Sequence, residues 1–153
     1  MRAAVMAGRA GQAIDAWDHI GEAQQVARRV NEGVHLGTAF GTASVRIHRL
    51  SLAAELGDIG SALRSAAGWQ PPTSLPAERR SHFYIDLARA YHHADQPDRT
   101  LEALHTARLI APEHVRAHPK VRSIVEQMVI MSGDTASETL VAKMRATTVP
   151  TPR

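Results

Sequence analysis

Apolar residues recur at three- and four-residue steps through most of the chain, which is the spacing of one helix face. Ala16, Ile20 and Ala23 show this spacing within a helix predicted over 12–30. The same pattern predicts further helices over 44–56, 59–67, 77–93 and 98–110, and a last one from Pro119. No segment alternates apolar and polar residues with the period of two that marks a strand. The pattern therefore predicts an all-α fold of about six helices without β-strands.

Glycines and prolines interrupt this helical pattern. Glycines mark a loop over 31–42, and three prolines break the helix over 69–76, because proline lacks a backbone donor. These breaks leave short helices that can pair within one domain, 1–131. The remainder, 132–153, is polar and contains two prolines near its end, so we expect a largely disordered tail. A short helix over 135–145 is the one ordered element predicted there.

The segment from Tyr84 onward matches the tetratricopeptide (TPR) signature, a repeat of about 34 residues that forms one helical hairpin. Eight positions agree with its spacing, two of them by residue type only: Tyr84, Leu87, Ala88, Tyr91, Thr100, Leu104, Ala107 and Pro112. Small residues in the signature let two helices touch, and larger ones fill the gap to the next hairpin. Two earlier segments match more loosely. The sequence therefore predicts a TPR-like α-solenoid.

The spacing of the predicted units also bears on assembly. Their anchor residues Ala16, Ala62 and Thr100 are 46 and 38 residues apart, which is longer than the standard period of about 34. The residues beyond the standard repeat length lie in the loop around Gly37 and in the proline-rich connector. In this register the first unit's aromatic residue would precede Met1, so the stack is expected to begin inside a repeat. Uncapped repeats expose apolar edges, and we therefore expect a homo-oligomer.

Nine short stretches carry a resemblance to a known family. They are Arg2-Ala-Ala, Ala16-Trp17, Gly37-Thr-Ala-Phe-Gly41, Val45-Arg-Ile-His48, Ala53-Ala-Glu-Leu-Gly-Asp58, Ile85-Asp-Leu-Ala-Arg-Ala90, Ala111-Pro112, Val115-Arg116 and Pro119-Lys-Val-Arg122. Together they resemble the C-terminal TPR region of actinobacterial XRE/Cro-type transcriptional regulators.

In that family an N-terminal helix-turn-helix binds DNA, and the helical repeats sense a ligand or mediate assembly. This sequence contains no helix-turn-helix segment, and it has Thr42-Ala43-Ser44 where family members often have Pro-Thr-Asn. The resemblance therefore implies a regulatory or accessory domain that binds a ligand or a protein. DNA contact would be lost or left to another polypeptide.

Composition and charge narrow the classes of function. The sequence has no cysteine, which excludes disulfides, thiolate zinc sites and cysteine nucleophiles. Its 18 basic and 15 acidic residues give a formal charge of +3, but the basic residues are scattered, so direct nucleic-acid binding is not predicted. No apolar run approaches the roughly 20 residues of a membrane span, and the start lacks a signal-peptide stretch. We expect a cytoplasmic protein without membrane contact.

The candidate binding site is the concave face, which the first helix of each TPR hairpin lines. The predicted site residues on this face are Arg9, His48, Ser51, Glu55, His82, Arg89, His92 and His93, and Ile85 shares the face. Guanidinium groups bind carboxylates through paired hydrogen bonds, so the predicted ligand is a polar small molecule or an acidic peptide. The alternative interpretation is that these are solvated charges on an ordinary helix surface.

Nine histidines raise the question of a metal site. His114 and His118 are four residues apart, and His92 and His93 are adjacent. A zinc site needs three or four converging ligands, adjacent histidines on a helix point about 100° apart, and Pro119 disturbs the helix at His118. We therefore predict no metal site and no cofactor.

Catalysis is the weakest of the functional hypotheses. His48 lies one turn from Ser44 and Ser51, and Glu55 follows one turn later, but nothing indicates the oxyanion hole that nucleophilic catalysis needs. No catalytic residue is assigned, and a deep closed pocket holding His48, Glu55 or His82 would be required to favour an enzyme. A second alternative is a structural module that dimerises or acts as a scaffold through the open N-terminal hairpin and through the apolar stripe Val121, Ile124, Val125 and Met128.

Overall fold

The structure is a computed structural model that describes residues 1–35 and 38–132. In this part of the chain the elements are α1 (Arg2–Arg9), α2 (Ala13–Ala27), β1 (Gly33–His35), β2 (Thr38–Phe40), α3 (Thr42–Glu55), α4 (Ile59–Ala66), α5 (Ala77–His93), α6 (Pro97–Ile110), α7 (Pro112–Ala117) and α8 (Pro119–Ser132). The predominantly helical class is confirmed. The described residues form eight helices rather than six, because the apolar pattern did not separate α1 and α7.

The prediction that the chain has no strands is wrong. Within the predicted loop 31–42, β1 and β2 pair in antiparallel orientation, with Val34 opposite Ala39. Strands of three residues are too short for a period of two to stand out in the sequence. This small hairpin contains the β-strands of the described part of the chain.

Glu32 joins the hairpin to the start of α3. Its Oε2 accepts hydrogen bonds from the backbone N–H groups of Ala43, at 2.7 Å, and Ser44, at 3.2 Å. Its Oε1 accepts a third from the Ser44 hydroxyl at 2.5 Å. Free N–H groups at a helix N-terminus need such acceptors, and a negative charge there is stabilising. The carboxylate therefore caps α3 from outside the helix.

Three pairs of helices follow one another along the chain: α1 with α2, α3 with α4, and α5 with α6. The first helices also contact in series, because α3 packs on both α1 and α5. In the third pair, the Ser81 hydroxyl near the start of α5 donates to the Ala107 carbonyl near the end of α6, at 3.1 Å. These two helices therefore run antiparallel and form a helical hairpin.

Buried side chains form two clusters. The smaller includes Ala4, Ile20 and Leu52 and joins α1, α2 and α3. The larger includes Phe83 and Leu104 and joins α3 through α8. Small alanine side chains in both clusters let neighbouring helix backbones approach closely.

The apolar stripe of α8 belongs to the larger cluster. This is the stripe predicted to form an interface between chains, and all four of its residues are buried: Val121, Ile124, Val125 and Met128. The helix packs against α5 of the same chain. The predicted interface does not fit this packing, because the four side chains are not accessible to a second chain.

The remaining domain predictions concern the connector and the tail. The proline-rich segment 69–76 contains no helix, as predicted, since α4 ends at Ala66 and α5 begins at Ala77. The described residues end at 132. The predicted tail from 133 onward therefore lies outside them, and so does the helix predicted over 135–145. None of the described helices combines the length and apolar character needed to cross a lipid bilayer.

Candidate functional site

A cleft of about 670 Å³ is lined by α1, the β-hairpin, α3, the beginning of α5 and the junction of α7 with α8. Five of the eight predicted groove residues line it: Arg9, His48, Ser51, Glu55 and His82. The spacing of 48, 51 and 55 places three of these on one face of α3, which is why helical periodicity could identify them.

The other predicted groove residues lie elsewhere. Arg89 does not line the cleft, and its Nη1 lies 3.3 Å from Glu55 Oε2. Nε2 of His92 lies 2.8 Å from Oε1 of Gln127 on α8. The ring of His93 lies beside that of His92, and burial lowers the pKa of His93. Ile85 is fully buried in the larger cluster, so its assignment to the concave face is wrong.

Asp86 is a fully buried carboxylate that the sequence analysis did not identify. It accepts a hydrogen bond from the Ser51 hydroxyl and lies 3.3 Å from Nη1 of Arg89. Its Oδ2 lies 3.3 Å from Nε2 of His82, and its Oδ1 lies 3.8 Å from Nζ of Lys120. A buried charge is tolerated when it has such partners. Asp86 therefore joins side chains from α3, α5 and α8 at one point.

The acidic and basic groups of the cleft are unequally paired. Glu55 accepts a hydrogen bond from Lys120 Nζ at 3.0 Å, and this bond lowers the pKa of Glu55. Arg9 and Arg79 also line the cleft, but neither makes an ion pair within the described residues. Glu78 also lines the cleft and makes no ion pair with another described residue. Among the described residues, the charged groups of the cleft without an ion pair are thus two guanidinium groups and one carboxylate.

The arrangement of serine, histidine and carboxylate that spacing allowed does not form. Nδ1 of His48 lies 2.9 Å from the backbone carbonyl of Ser44, and burial lowers the pKa of His48. The Ser44 hydroxyl donates to Glu32, and the Ser51 hydroxyl donates to Asp86. Both serine hydroxyl groups therefore donate to carboxylates and not to His48.

Three histidine rings meet where α5 approaches the junction of α7 and α8. The ring centroids of His82 and His114 are 6.0 Å apart, and His118 lies 5.4 Å from each of the other two. One ligand nitrogen from each ring can be chosen so that all three lie within 4.8 Å of one another. The prediction against a metal site assumed that His114 and His118 had no third partner, and that assumption is wrong because His82 supplies one.

The backbone at His118 explains this convergence. His118 is extended, with φ −81° and ψ 118°, between the end of α7 and Pro119 at the start of α8. A residue before proline is driven from helical to extended conformation by steric contact with the proline ring. Pro119 predicts this break at His118, but residue spacing alone does not predict that the break brings both histidines to α5.

The rings of His114 and His118 are uncharged near neutral pH. Burial lowers the pKa of His118 to about 4, and electrostatic interaction with the neighbouring His82 and His114 rings adds to this effect. Burial also lowers the pKa of His114. Within the described residues, the buried Nε2 of His114 and Nδ1 of His118 have no hydrogen-bond partner. Each neutral ring has one nitrogen lone pair available.

No protein-family model, no curated protein and no solved structure matches the chain. The fold and the site together define a protein of paired helices with a cleft that contains both charged and apolar side chains beside a cluster of histidines.

Proposed function

We propose that the chain is a TPR-like domain that binds an anionic small molecule or an acidic peptide in its cleft. Its role would be regulatory or accessory, as the resemblance to the TPR region of XRE/Cro-type regulators implies. The observation that carries the proposal is that Arg9 and Arg79 line the cleft without an ion pair among the described residues, whereas Glu55 is already held by Lys120. Unpaired guanidinium groups favour binding of a carboxylate.

The packing of the helices supports the TPR-like part of the proposal. Consecutive helix pairs whose first helices contact in series are the arrangement expected of stacked repeats. At the signature positions, Ala88, Thr100, Leu104 and Ala107 are fully buried. The first helices also line the cleft, which is where ligands of TPR proteins bind.

Binding is better supported than catalysis. The side chains of His82 and Glu55 remain 37% and 32% exposed, so the cleft is open to solvent rather than closed. The Glu55 carboxylate is held ionised by Lys120, which makes it a weak general base. The proposal places the protein in the cytoplasm and leaves contact with DNA to another polypeptide.

Isothermal titration calorimetry with two probes, citrate and a tetraglutamate peptide, tests this function. We expect Arg79→Gln and Arg9→Gln each to weaken binding by roughly tenfold, because a hydrogen bond to a charged group contributes about 1.5–3 kcal/mol. Arg29→Gln is the matched control, since Arg29 is exposed, does not line the cleft and undergoes the same change of charge. The proposal fails if neither probe binds, or if the control loses as much affinity as the cleft variants.

A further inference from the structure

We propose that His82, His114 and His118 form a binding site for one Zn²⁺ ion, with a coordination position left open toward the cleft. The inference stands apart from the proposed anion binding, because it needs only the three imidazole groups and not Arg9 or Arg79.

The spacing of the rings fits tetrahedral coordination. Zn–N bonds are about 2.0–2.1 Å long, so three imidazole ligands of one zinc ion have ring centroids about 5.2 Å apart. The observed centroid separations are 5.4, 5.4 and 6.0 Å. The candidate ligand nitrogens lie within 4.8 Å of one another, compared with about 3.4 Å around a bound zinc ion. Small rotations of the side chains would close this difference.

The chemistry of the donors also fits. Metal ions bind histidine through an unprotonated ring nitrogen, and His114 and His118 both line the cleft. Each has a buried ring nitrogen without a hydrogen-bond partner among the described residues. A set of three nitrogen donors favours Zn²⁺ over Mg²⁺ or Ca²⁺, which prefer oxygen. Coordination would satisfy nitrogens that are otherwise buried without a partner.

Asp86 is placed to support the site. A histidine that binds a metal through one ring nitrogen commonly donates from the other to a carboxylate, which fixes the tautomer and orients the ring. Nε2 of His82 lies 3.3 Å from Oδ2 of the fully buried Asp86. Asp86 is held in turn by Arg89 and by the Ser51 hydroxyl.

The open coordination position would be reached from the cleft. Three protein ligands leave the fourth tetrahedral position of Zn²⁺ for water or another small ligand. All three histidines line the cleft, so an ion held by them would lie at its edge. The site would also tie the junction of α7 and α8 to α5, because two ligands come from the junction and one comes from α5.

The direct test is calorimetric titration of the full, tag-free chain with Zn²⁺ after dialysis against EDTA. We expect one Zn²⁺ per chain, a rise in the melting temperature that EDTA reverses, and no binding of Mg²⁺. Co²⁺ in the same site should give the intense visible absorption of tetrahedral cobalt. Absence of stoichiometric Zn²⁺ binding at micromolar protein would overturn the proposal.

The Zn²⁺ affinities of single-histidine variants test which residues bind the ion. His82→Gln, His114→Gln and His118→Gln should each weaken Zn²⁺ binding by at least about tenfold, since even loss of an outer-shell partner costs that much. His105→Gln is the control, because His105 is exposed on α6 and does not line the cleft. Circular dichroism checks that each variant is folded. Unchanged affinity in all three cleft variants, or an equal loss in the control, would refute the assignment.

A second measurement uses the unmodified chain and does not depend on the folding of any variant. Zn²⁺ should protect His82, His114 and His118 from acylation by diethyl pyrocarbonate, as followed by mass spectrometry, while His105 stays reactive. Protection of His105 to the same degree would contradict the site. Neither metal experiment contains an anionic probe, so its failure would leave the anion proposal intact.

Discussion

Asp86 brings together four side chains from three helices. It accepts a hydrogen bond from Ser51 on α3, lies near His82 and Arg89 on α5, and approaches Lys120 on α8. Two of these partners are cationic, so the charge of Asp86 is balanced although the residue is fully buried. Removing the charge while keeping the shape would leave these cations without their buried counter-ion.

We predict that Asp86→Asn lowers the free energy of unfolding by about 3–5 kcal/mol, the scale observed when one partner of a buried ion pair is removed. Urea unfolding followed by far-ultraviolet circular dichroism measures this. Asp18→Asn is the control, because Asp18 is exposed on α2 and surface substitutions usually change stability by less than about 0.5 kcal/mol. A loss no larger than that of the control would show that Asp86 does not hold the helices together.

Individual residues also show how far sequence could define the site. His48, Ser51 and Glu55 were found because one helix face repeats every three or four residues. His114 and His118 were recognised as a pair but not assigned, because their third partner is His82, on a different helix. Asp86 was missed for a related reason, since its role depends on burial beside α3 and α8. Contacts within one helix can be predicted from spacing, whereas contacts between helices require the tertiary fold.

The short β-hairpin depends on the glycine that follows it. Gly41 has φ +155°, a conformation that side chains rarely adopt. A Cβ atom placed there would lie 2.6 Å from the Cα atom of Glu32. Because Glu32 caps α3, displacing it would also remove acceptors from the start of that helix.

We predict that Gly41→Ala lowers the free energy of unfolding by about 2 kcal/mol or more, because strain and loss of the cap add. Gly21→Ala is the control, and we expect it to raise the free energy of unfolding. Gly21 lies inside α2 with open space around its Cα, and alanine should stabilise the helix there by about 0.5–1 kcal/mol. Thermal melts of both variants test the pair, and a Gly41→Ala protein as stable as the wild type would contradict the close packing.

The helices themselves were the most predictable elements. The breaks at the proline-rich connector and between the helices predicted over 77–93 and 98–110 lie where the sequence pattern predicted them, because proline has a fixed backbone effect. The N-cap of α4 is equally local, since the Asp58 carboxylate accepts from the N–H of Ser61 at 2.9 Å. α7 was missed because six residues are too few for a helical period to stand out. α1 was also missed, although α4 has the same length of eight residues and was predicted. A Cβ atom at Gly8 would lie 2.6 Å from Cδ1 of Leu52. The close contact between α1 and α3 therefore explains the glycine within α1.

At the scale of the whole molecule, exposed apolar residues are concentrated near the N-terminus of the described chain. Five large hydrophobic side chains in the first 34 residues are exposed: Met6, Ile14, Val26, Val30 and Val34. The α8 stripe is buried within the chain and cannot serve for association. The expected homo-oligomer would therefore form through the first helical pair, α1 and α2.

We predict that the chain self-associates as its concentration rises, as measured by sedimentation velocity. Ile14→Lys should weaken this association by at least about tenfold, because burying one isoleucine side chain contributes about 1.5–3 kcal/mol. Leu109→Lys is the control, since Leu109 on α6 is 69% exposed and Ile14 is 79% exposed. A wild-type chain that stays monomeric at every concentration, or equal dispersal by both variants, would contradict association through the first helical pair.

Lys120 pairs with Glu55, a residue 65 positions earlier in the chain. Lys120 lies in the first turn of α8 and also approaches Asp86. Residues of α1 and α8, the first and last described helices, line the same cleft. A local opening that detached α8 would remove Lys120 and Pro119 from the cleft lining and break its ion pair with α3. If a bound molecule contacts Lys120 or Pro119, its dissociation would then be coupled to detachment of α8.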